Sequence, residues 1–360
     1  VSLTIWRVFG CFNRFSTIQL MAHLNENQIT ELKQLLANPK KIAIIPHRNV
    51  DGDAMGSTLG LYHILKQLNH NITVVVPNEI PDYLQWIPGT KEATIIYEGN
   101  KVGDAINILK DAELIFTLDF NAFHRAGEQM ESVLKTLEAT FVMIDHHEKP
   151  DGYAKYMFSD IEYSSTCQMV YDFAQQLEIG QFINEDAATC LYTGIATDSG
   201  GFRFPRTTGN LHRIVADLID KGVNNSQIHV NLYDNGDYNR LQILGKALTN
   251  LKILPEYKTS YITLSQEEQN ALNVKKGDTE GIVNYGLSIK DIDFTAFFTE
   301  VKEENMVKIS FRSQGNFDVN QFARNHFNGG GHKNAAGGKS FDSLEDTITK
   351  FIAILAIEKK

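Results

Sequence analysis

The chain reads as an α/β protein in two parts. A larger N-terminal domain has a mostly parallel sheet flanked by helices, a smaller C-terminal α/β domain has a mixed sheet, and a cleft lies between them. Three observations predict this. Strand-length apolar runs alternate with helical periodicity through the first half of the chain, the pattern of a parallel sheet covered on both faces. After Pro255 the texture changes to β-rich runs of a smaller mixed sheet. The length, 360 residues, is enough for two ordinary domains.

The elements follow in order. Asn25 to Leu36 is helix-like, and Lys41 to Pro46 is a buried strand followed by a loop and a helix from about Ala54 to Leu68. Ile72 to Val76, Leu114 to Asp119 and Thr140 to Ile144 are further strands, and helices fill Phe123 to Leu137, Ser165 to Leu177 and Asn184 to Thr197. Asn210 to about Leu254 is helical with a polar break at Tyr233 to Asp237. Tyr261 to Leu264, Phe294 to Val301 and Met306 to Arg312 are strands, then come a short helix Val319 to Phe327, a glycine-rich loop, and an amphipathic helix Ser343 to Ile357. The expected division is an N-terminal extension at 1–22, a first domain at 23–230, a helical linker at 231–254 and a second domain at 255–360. Val1 to Leu20 holds Arg7 and Arg14 but no acid, and its apolar residues are too broken for a secretory core. Met21, directly before a helix, is the expected physiological start, with a weak targeting peptide as the alternative.

Composition narrows the partners. Apolar and charged contents of 42% and 22% are those of a soluble globular protein. A net charge of −10 argues against a basic groove for long duplex nucleic acid, but a short anion fits if metals and a few basic residues supply local positive charge. Cys11, Cys167 and Cys190 are far apart without a CxxC pair and read as reduced thiols of a cytoplasmic protein. No run of about 18 apolar residues suggests a membrane span.

The chemistry concentrates in four places. The apolar run Thr140 to Ile144 ends in Asp145, His146 and His147, groups that are costly to bury unless paired or bound. His47, Asp51 and Asp53 follow the first strand, Asp119 ends another, and Asp198 precedes Ser199-Gly200-Gly201. Ligands collect beyond the carboxyl ends of such strands. Taken singly, Asp51 and Asp53 read equally well as turn or N-cap residues, and Asp198 as a turn residue. Together, carboxylates and imidazoles suit manganese, magnesium, iron or cobalt. They are too many for one ion and well used by two ions about 3.5–4 Å apart bridged by Asp119. His63, His70 and His124 read as surface residues.

These residues together resemble the DHH phosphoesterase superfamily, named for the triplet seen here as Asp145-His146-His147. His47-x3-Asp51-x-Asp53-x2-Gly56-Ser57 looks like its first motif, Asp119 its second and Asp198 its fourth. Gly329-Gly330-Gly331-His332-x2-Ala335-Ala336-Gly337-Gly338 is similar to the associated DHHA1 signature. The resemblance covers about Asn25 to Ile357. It implies one ion on His47, Asp51 and Asp119 and a second on Asp53, Asp119, His146 and Asp198, most simply Mn2+, with Mg2+ or Co2+ as substitutes. Asp145 would orient a ligand imidazole, and His147 would face the substrate phosphate. Gly329, Gly330 and Gly331 would bring backbone amides to a phosphate, with His332 and Arg312 as donors and Arg125 and Asn334 as weaker substrate-binding candidates. The compact two-domain branch, similar to nano-RNase/pAp phosphatases, implies hydrolysis of very short RNAs and of 3′-phosphoadenosine 5′-phosphate (pAp). A stand-alone cyclic-di-AMP or linear-dinucleotide phosphodiesterase is the alternative, and a non-catalytic nucleotide-binding module the alternative of another class. A homodimer is compatible with all three.

Overall fold

The computed structural model describes residues 24–235, 238–275 and 277–359. Cys11, Met21 and the extension therefore lie outside the described residues, as do Gly236 and Asp237 of the polar break. Six strands form the first sheet: β1 (Lys41–Pro46), β2 (Asn71–Val76), β3 (Thr94–Ile96), β4 (Leu114–Leu118), β5 (Thr140–Asp145) and β6 (Tyr156–Ser159). They are parallel throughout in the order β3-β2-β1-β4-β5-β6. The order reverses between β1 and β4, so a crevice opens beyond their carboxyl ends.

Helices α1 (Glu26–Leu36), α2 (Gly52–Lys66), α3 (Thr90–Ala93), α4 (Val102–Asp111), α5 (Glu128–Leu134), α6 (Thr166–Gln176), α7 (Glu185–Asp198), α8 (Gly209–Asp220) and α9 (Asn225–His229) accompany this sheet. Two apolar cores result, one around Ile44, Leu59, Phe116 and Phe173, the other around Ala43, Ile115, Phe120 and Phe141. The first is the larger because α2 is buried from Gly52 to Leu65 except at His63. Its small residues let α7 approach closely: a Cβ on Gly56 would stand 2.5 Å from the Cys190 carbonyl oxygen.

Helix α10 (Tyr238–Thr249) leads to the second sheet: β7 (Lys252–Leu254), β8 (Thr259–Leu264), β9 (Phe294–Val301), β10 (Met306–Ser313), β11 (Gly330–His332) and β12 (Ala335–Ser340). Its order is β11-β12-β10-β9-β8-β7, with only β8 and β9 parallel. Helices α11 (Gln266–Ala271), α12 (Val319–His326) and α13 (Leu344–Glu358) complete it, and Phe294, Phe298, Phe311, Phe322 and Phe351 form its core. The two-domain α/β architecture expected from sequence is the one observed.

Several elements differ in detail. The helix expected over Phe123 to Leu137 is broken at Gly127, whose φ of 91° ends a 3-10 turn before α5 begins. The helical stretch from Asn210 is divided among α8, α9, a π turn at Val230–Asp234 and α10, and its last residues are strand β7. The glycine-rich loop is partly strand β11. His70 is not on the surface: it is 7% exposed, and its Nδ1 accepts the Lys40 amide at 3.1 Å. His63 is half-buried, its Nε2 3.1 Å from the Pro88 carbonyl, whereas His124 is exposed. Cys167 and Cys190 are buried free thiols. Among the described residues no helix is long and apolar enough to cross a membrane.

Candidate metal and phosphate site

The four polar places converge. His47 follows β1, and its Nδ1–H donates to the Arg48 carbonyl at 2.8 Å, which turns Nε2 toward Asp119 Oδ2 (3.3 Å) and Asp51 Oδ2 (3.7 Å). Asp51 is the N-cap of α2, its Oδ1 accepting from the Asp53 and Ala54 amides. Capping and site roles therefore coexist on one carboxylate through different oxygens. Asp119 lies one residue past β4 with φ 63°, a left-handed backbone that costs a non-glycine residue about 1 kcal/mol or more. Its amide donates to the Ile144 carbonyl at 3.1 Å and its Oδ1 accepts from Thr166 Oγ1 at 3.0 Å. One of its oxygens faces His47 and the other His146 (3.5 Å). Asp198 is the last residue of α7, not a turn residue.

His146 is the centre of the second group. Its Nε2 has Asp198 Oδ2 at 3.3 Å, Asp119 Oδ1 at 3.5 Å and Asp53 Oδ2 at 3.7 Å, yet this buried nitrogen has no hydrogen-bond partner. A buried polar atom normally has one. Donor atoms spaced this way, one imidazole nitrogen among carboxylate oxygens, fit a divalent cation at their focus. Four candidate ligand sets lie here, each with its atoms within 4.8 Å of one another: His47, Asp51 and Asp119; Asp53, His146 and Asp198; Asp119, Asp145 and His147; and His146, His147 and His332.

Electrostatics makes the same demand for positive charge. Burial, with Asp119 and Asp198 beside it, drives the Asp53 carboxyl well above its usual range, and burial pushes Asp198 up to about 6. Burial works against ionising Asp119 as well, but the imidazoles of His146 and His47 outweigh it and hold that carboxyl well below. Against their own burial, Asp119 and Asp51 raise His47 to about 10, and Asp119 and Asp198 raise His146 well above its usual value. The cluster draws in protons where no cation is supplied, and cation binding releases them.

Asp145, fully buried, accepts from His147 Nδ1 at 2.7 Å and from the His147 amide at 2.9 Å. The imidazole it orients is thus His147; His146 Nδ1 instead faces the Tyr163 carbonyl at 3.3 Å. Across the cleft, His332 stacks on His147 with centroids 4.3 Å apart and stands 4.8 Å from the His146 ring. Burial and the two neighbouring histidines hold its pKa well down, so it meets the site as a neutral ring.

The remaining candidates behave differently. Arg312 is half-buried, its Nη1 donating to the Phe311 carbonyl at 2.9 Å, and it senses the charges of Glu280 and Asp198. Arg125 is half-buried and near enough to His147 to depress its pKa, after burial itself. Asn334 is committed to a turn, its amide donating to Ser313 Oγ at 2.9 Å and the Gly315 carbonyl at 3.4 Å. The Gly329 amide is used by Ala323 and the Gly331 amide by Asn320. A Cβ on Gly329 would stand 2.0 Å from the Gly337 oxygen, and on Gly331 2.5 Å from the Ala335 oxygen. Close strand pairing therefore accounts for these two glycines, and their amides are not free for phosphate.

Sequence reasoning missed the supports. Asp53 is held by the amides of Thr166 (2.6 Å) and Cys167 (2.9 Å) at the start of α6, where helix amides favour a carboxylate. Ser164-Ser165-Thr166 before a helical run was the available signal. Asn121 Nδ2 fixes the loop after the triplet through the His147 and Glu148 carbonyls.

A family model described as the DHH family, N-terminal domain, matches residues 41–195, and one described as the DHHA1 domain matches residues 257–356. The chain is 28% identical over 310 residues to a bifunctional oligoribonuclease and PAP phosphatase, NrnA, of Thermus thermophilus, covering 86% of each protein. It is 28% identical over 299 residues to the protein of that name from Bacillus subtilis, covering 82% of this chain and 88% of that one. The crystal structure of an exopolyphosphatase-related protein from Bacteroides fragilis matches with a TM-score of 0.87 at 36% identity, covering 92% of this chain and 96% of that one.

Proposed function

The chain belongs to the DHH family, with a DHHA1 domain after it, and from that premise we propose that it is a two-metal phosphoesterase that hydrolyses very short oligoribonucleotides and pAp. The observation that carries the proposal is His146 Nε2, buried among three carboxylates without a hydrogen bond, beneath a histidine contributed by the other domain. The relatives named above as oligoribonuclease and PAP phosphatase support the substrate assignment.

In this reading His47, Asp51 and Asp119 hold one divalent ion and Asp53, Asp119, His146 and Asp198 the other, Mn2+ by preference. Such ions supply positive charge at phosphoryl oxygens and acidify water. The protein's own groups do the rest. Asp145 accepts a hydrogen bond from His147 Nδ1–H, which turns Nε2 to the cleft, where it would take up a proton from the attacking water and return it to a leaving oxygen. His332 stacks on that ring and excludes water from its face. Arg312 gives the DHHA1 side a planar donor fork for the terminal nucleotide. The working units are a catalytic domain at 23–230 and a substrate-binding domain at 255–360, joined by 231–254.

The test is hydrolysis of pAp, pGpG, a five-mer RNA and cyclic di-AMP with Mn2+. Release of AMP from pAp and of mononucleotides from the two linear substrates is expected. No turnover of those three ends the assignment, and cleavage of cyclic di-AMP alone transfers it to the cyclic-dinucleotide alternative.

A further inference from the structure

Asn320, on α12, is 2% exposed and makes three hydrogen bonds, one of which joins the two domains. Its Nδ2 donates to Glu148 Oε2 at 3.1 Å, on the loop just after His147. Its Oδ1 accepts from the Gly331 amide at 3.1 Å and from Arg324 Nε at 2.9 Å. Arg324 stands four residues further along α12, on the same face as Asn320, and is exposed. Its Nη2 lies 3.3 Å from the place a Cβ of Gly330 would take. Gly330 thus leaves room for the guanidinium, which a side chain at 330 would crowd.

The strand geometry then fixes what Arg324 overlooks. Gly330 and His332 are two residues apart on β11, so they share a face about 7 Å apart. His332 on that face meets His147 at the site, and Arg324 lies over Gly330 on the same face. The separation is comparable to that between neighbouring phosphates along a nucleotide chain. Among the described residues Arg324 forms no ion pair, so its charge is unspent although the protein carries −10 overall. An arginine fixed through Nε keeps both Nη groups as a donor pair for a phosphate.

We propose that Arg324, held by Asn320 and given room by Gly330, is a specificity-determining residue that receives a non-scissile phosphate of the substrate at the rim of the cleft. This rests on the phosphoesterase reading above. Recognition of this kind distinguishes substrates that carry a second phosphate from those that do not.

Two substrate pairs isolate it: pAp against adenosine 3′-phosphate, and 5′-phosphorylated ApA against ApA, with Arg324→Gln and the unaltered protein compared in Mn2+. The ratio of kcat/KM within each pair should fall about tenfold or more in the variant, through KM, as expected for a lost charged hydrogen bond. The KM for pAp should also become less sensitive to salt. A ratio unchanged within twofold, or equal losses on both members of a pair, overturns the proposal. Asn320→Ala should lower the same ratios, and adding Arg324→Gln to it should cost little more; fully additive losses refute the holding role of Asn320. If the unaltered protein turns over none of the four compounds, the functional reading fails. Calorimetric binding of pAp and adenosine 3′-phosphate to both proteins then decides the inference: a preference for pAp that R324Q abolishes supports it, and no difference overturns it.

Discussion

Asp145→Asn isolates the residue whose role the structure redefines. Each oxygen of this buried carboxylate accepts a different N–H of His147, the ring at 2.7 Å and the backbone at 2.9 Å. Asparagine can accept only one of them, and its NH2 then points at the other donor. The change therefore removes one charge-assisted bond and replaces the other by a neutral or repulsive contact, while volume and packing are preserved. Losing a hydrogen bond to a charged group costs about 2–3 kcal/mol, or roughly 30- to 150-fold in kcat/KM if the ring acts in the transition state. The assay is steady-state hydrolysis of pAp with Mn2+, accompanied by metal content after gel filtration. The expected result is a loss in kcat with metal content unchanged. A loss below threefold would refute the orienting role. Loss of metal to the same degree as activity would show instead that Asp119, Asp145 and His147 act together as a ligand set.

Three further outcomes follow from other parts of the molecule. Asp119→Ala removes the carboxylate shared by both histidine groups, so Mn2+ affinity should fall and activity drop by more than about a thousandfold, roughly 4 kcal/mol; unchanged turnover excludes the bridging role. The metal-free variant should melt below the metal-free parent at neutral pH, because His146 and His47 hold the Asp119 carboxyl well below its usual range and Thr166 donates to it. Gly194→Ala would place a Cβ 2.2 Å from Cys167 Sγ and 2.8 Å from Asp53 Oδ1. An overpacking cost of about 1–3 kcal/mol is expected, and an unchanged urea midpoint contradicts the close α2–α7 approach. His70 supplies the pH test. Burial, then Lys40, holds its pKa below the ordinary 6.5, so the unfolded chain binds the proton more tightly than the folded one. Its contribution is complete above about pH 6.5 and is lost as the pH falls below that value. His70→Asn keeps an acceptor for the Lys40 amide without titrating, so the variant should gain on the parent as the pH falls from 7.5 to 5.5; parallel denaturation midpoints would refute this.

What was legible in the sequence shares one physical property. His47, Asp51, Asp119, Asp145 and His146 stand at the ends of continuous apolar strands, where a polar residue breaks a pattern that packing alone would continue. The β1, β4 and β5 strands were legible for the same reason, being buried on both faces. Helix α2 was placed two residues late because it is buried nearly all round and shows little amphipathic contrast. Strands β3 and β6 are short and half-buried, so three or four residues carried no periodic signal. The break at Gly127 depends on one positive φ, which a helical pattern does not disclose.

The glycine-rich segment shows where such reading stops. Three glycines before a histidine suggest backbone approach to a ligand, but two of them are required by strands that pair at close range, and the third lies against an arginine side chain from a helix. The contacts that decide this are made by docking: Asn320 with Glu148, 172 residues apart in sequence, and His332 with His147. No local pattern encodes them, because each partner alone is an ordinary polar residue. They matter because His147 donates its hydrogen bonds to Asp145 of the first domain and takes its stacked neighbour from the second. The angle between domains thereby sets the surroundings of the His147 ring. A substitution at Asn320 should consequently alter substrate preference without touching a metal ligand, whereas substitutions at Asp53 or Asp198 should lower turnover of every substrate together. The separation of those two effects distinguishes a site assembled across a cleft from one contained in a single domain.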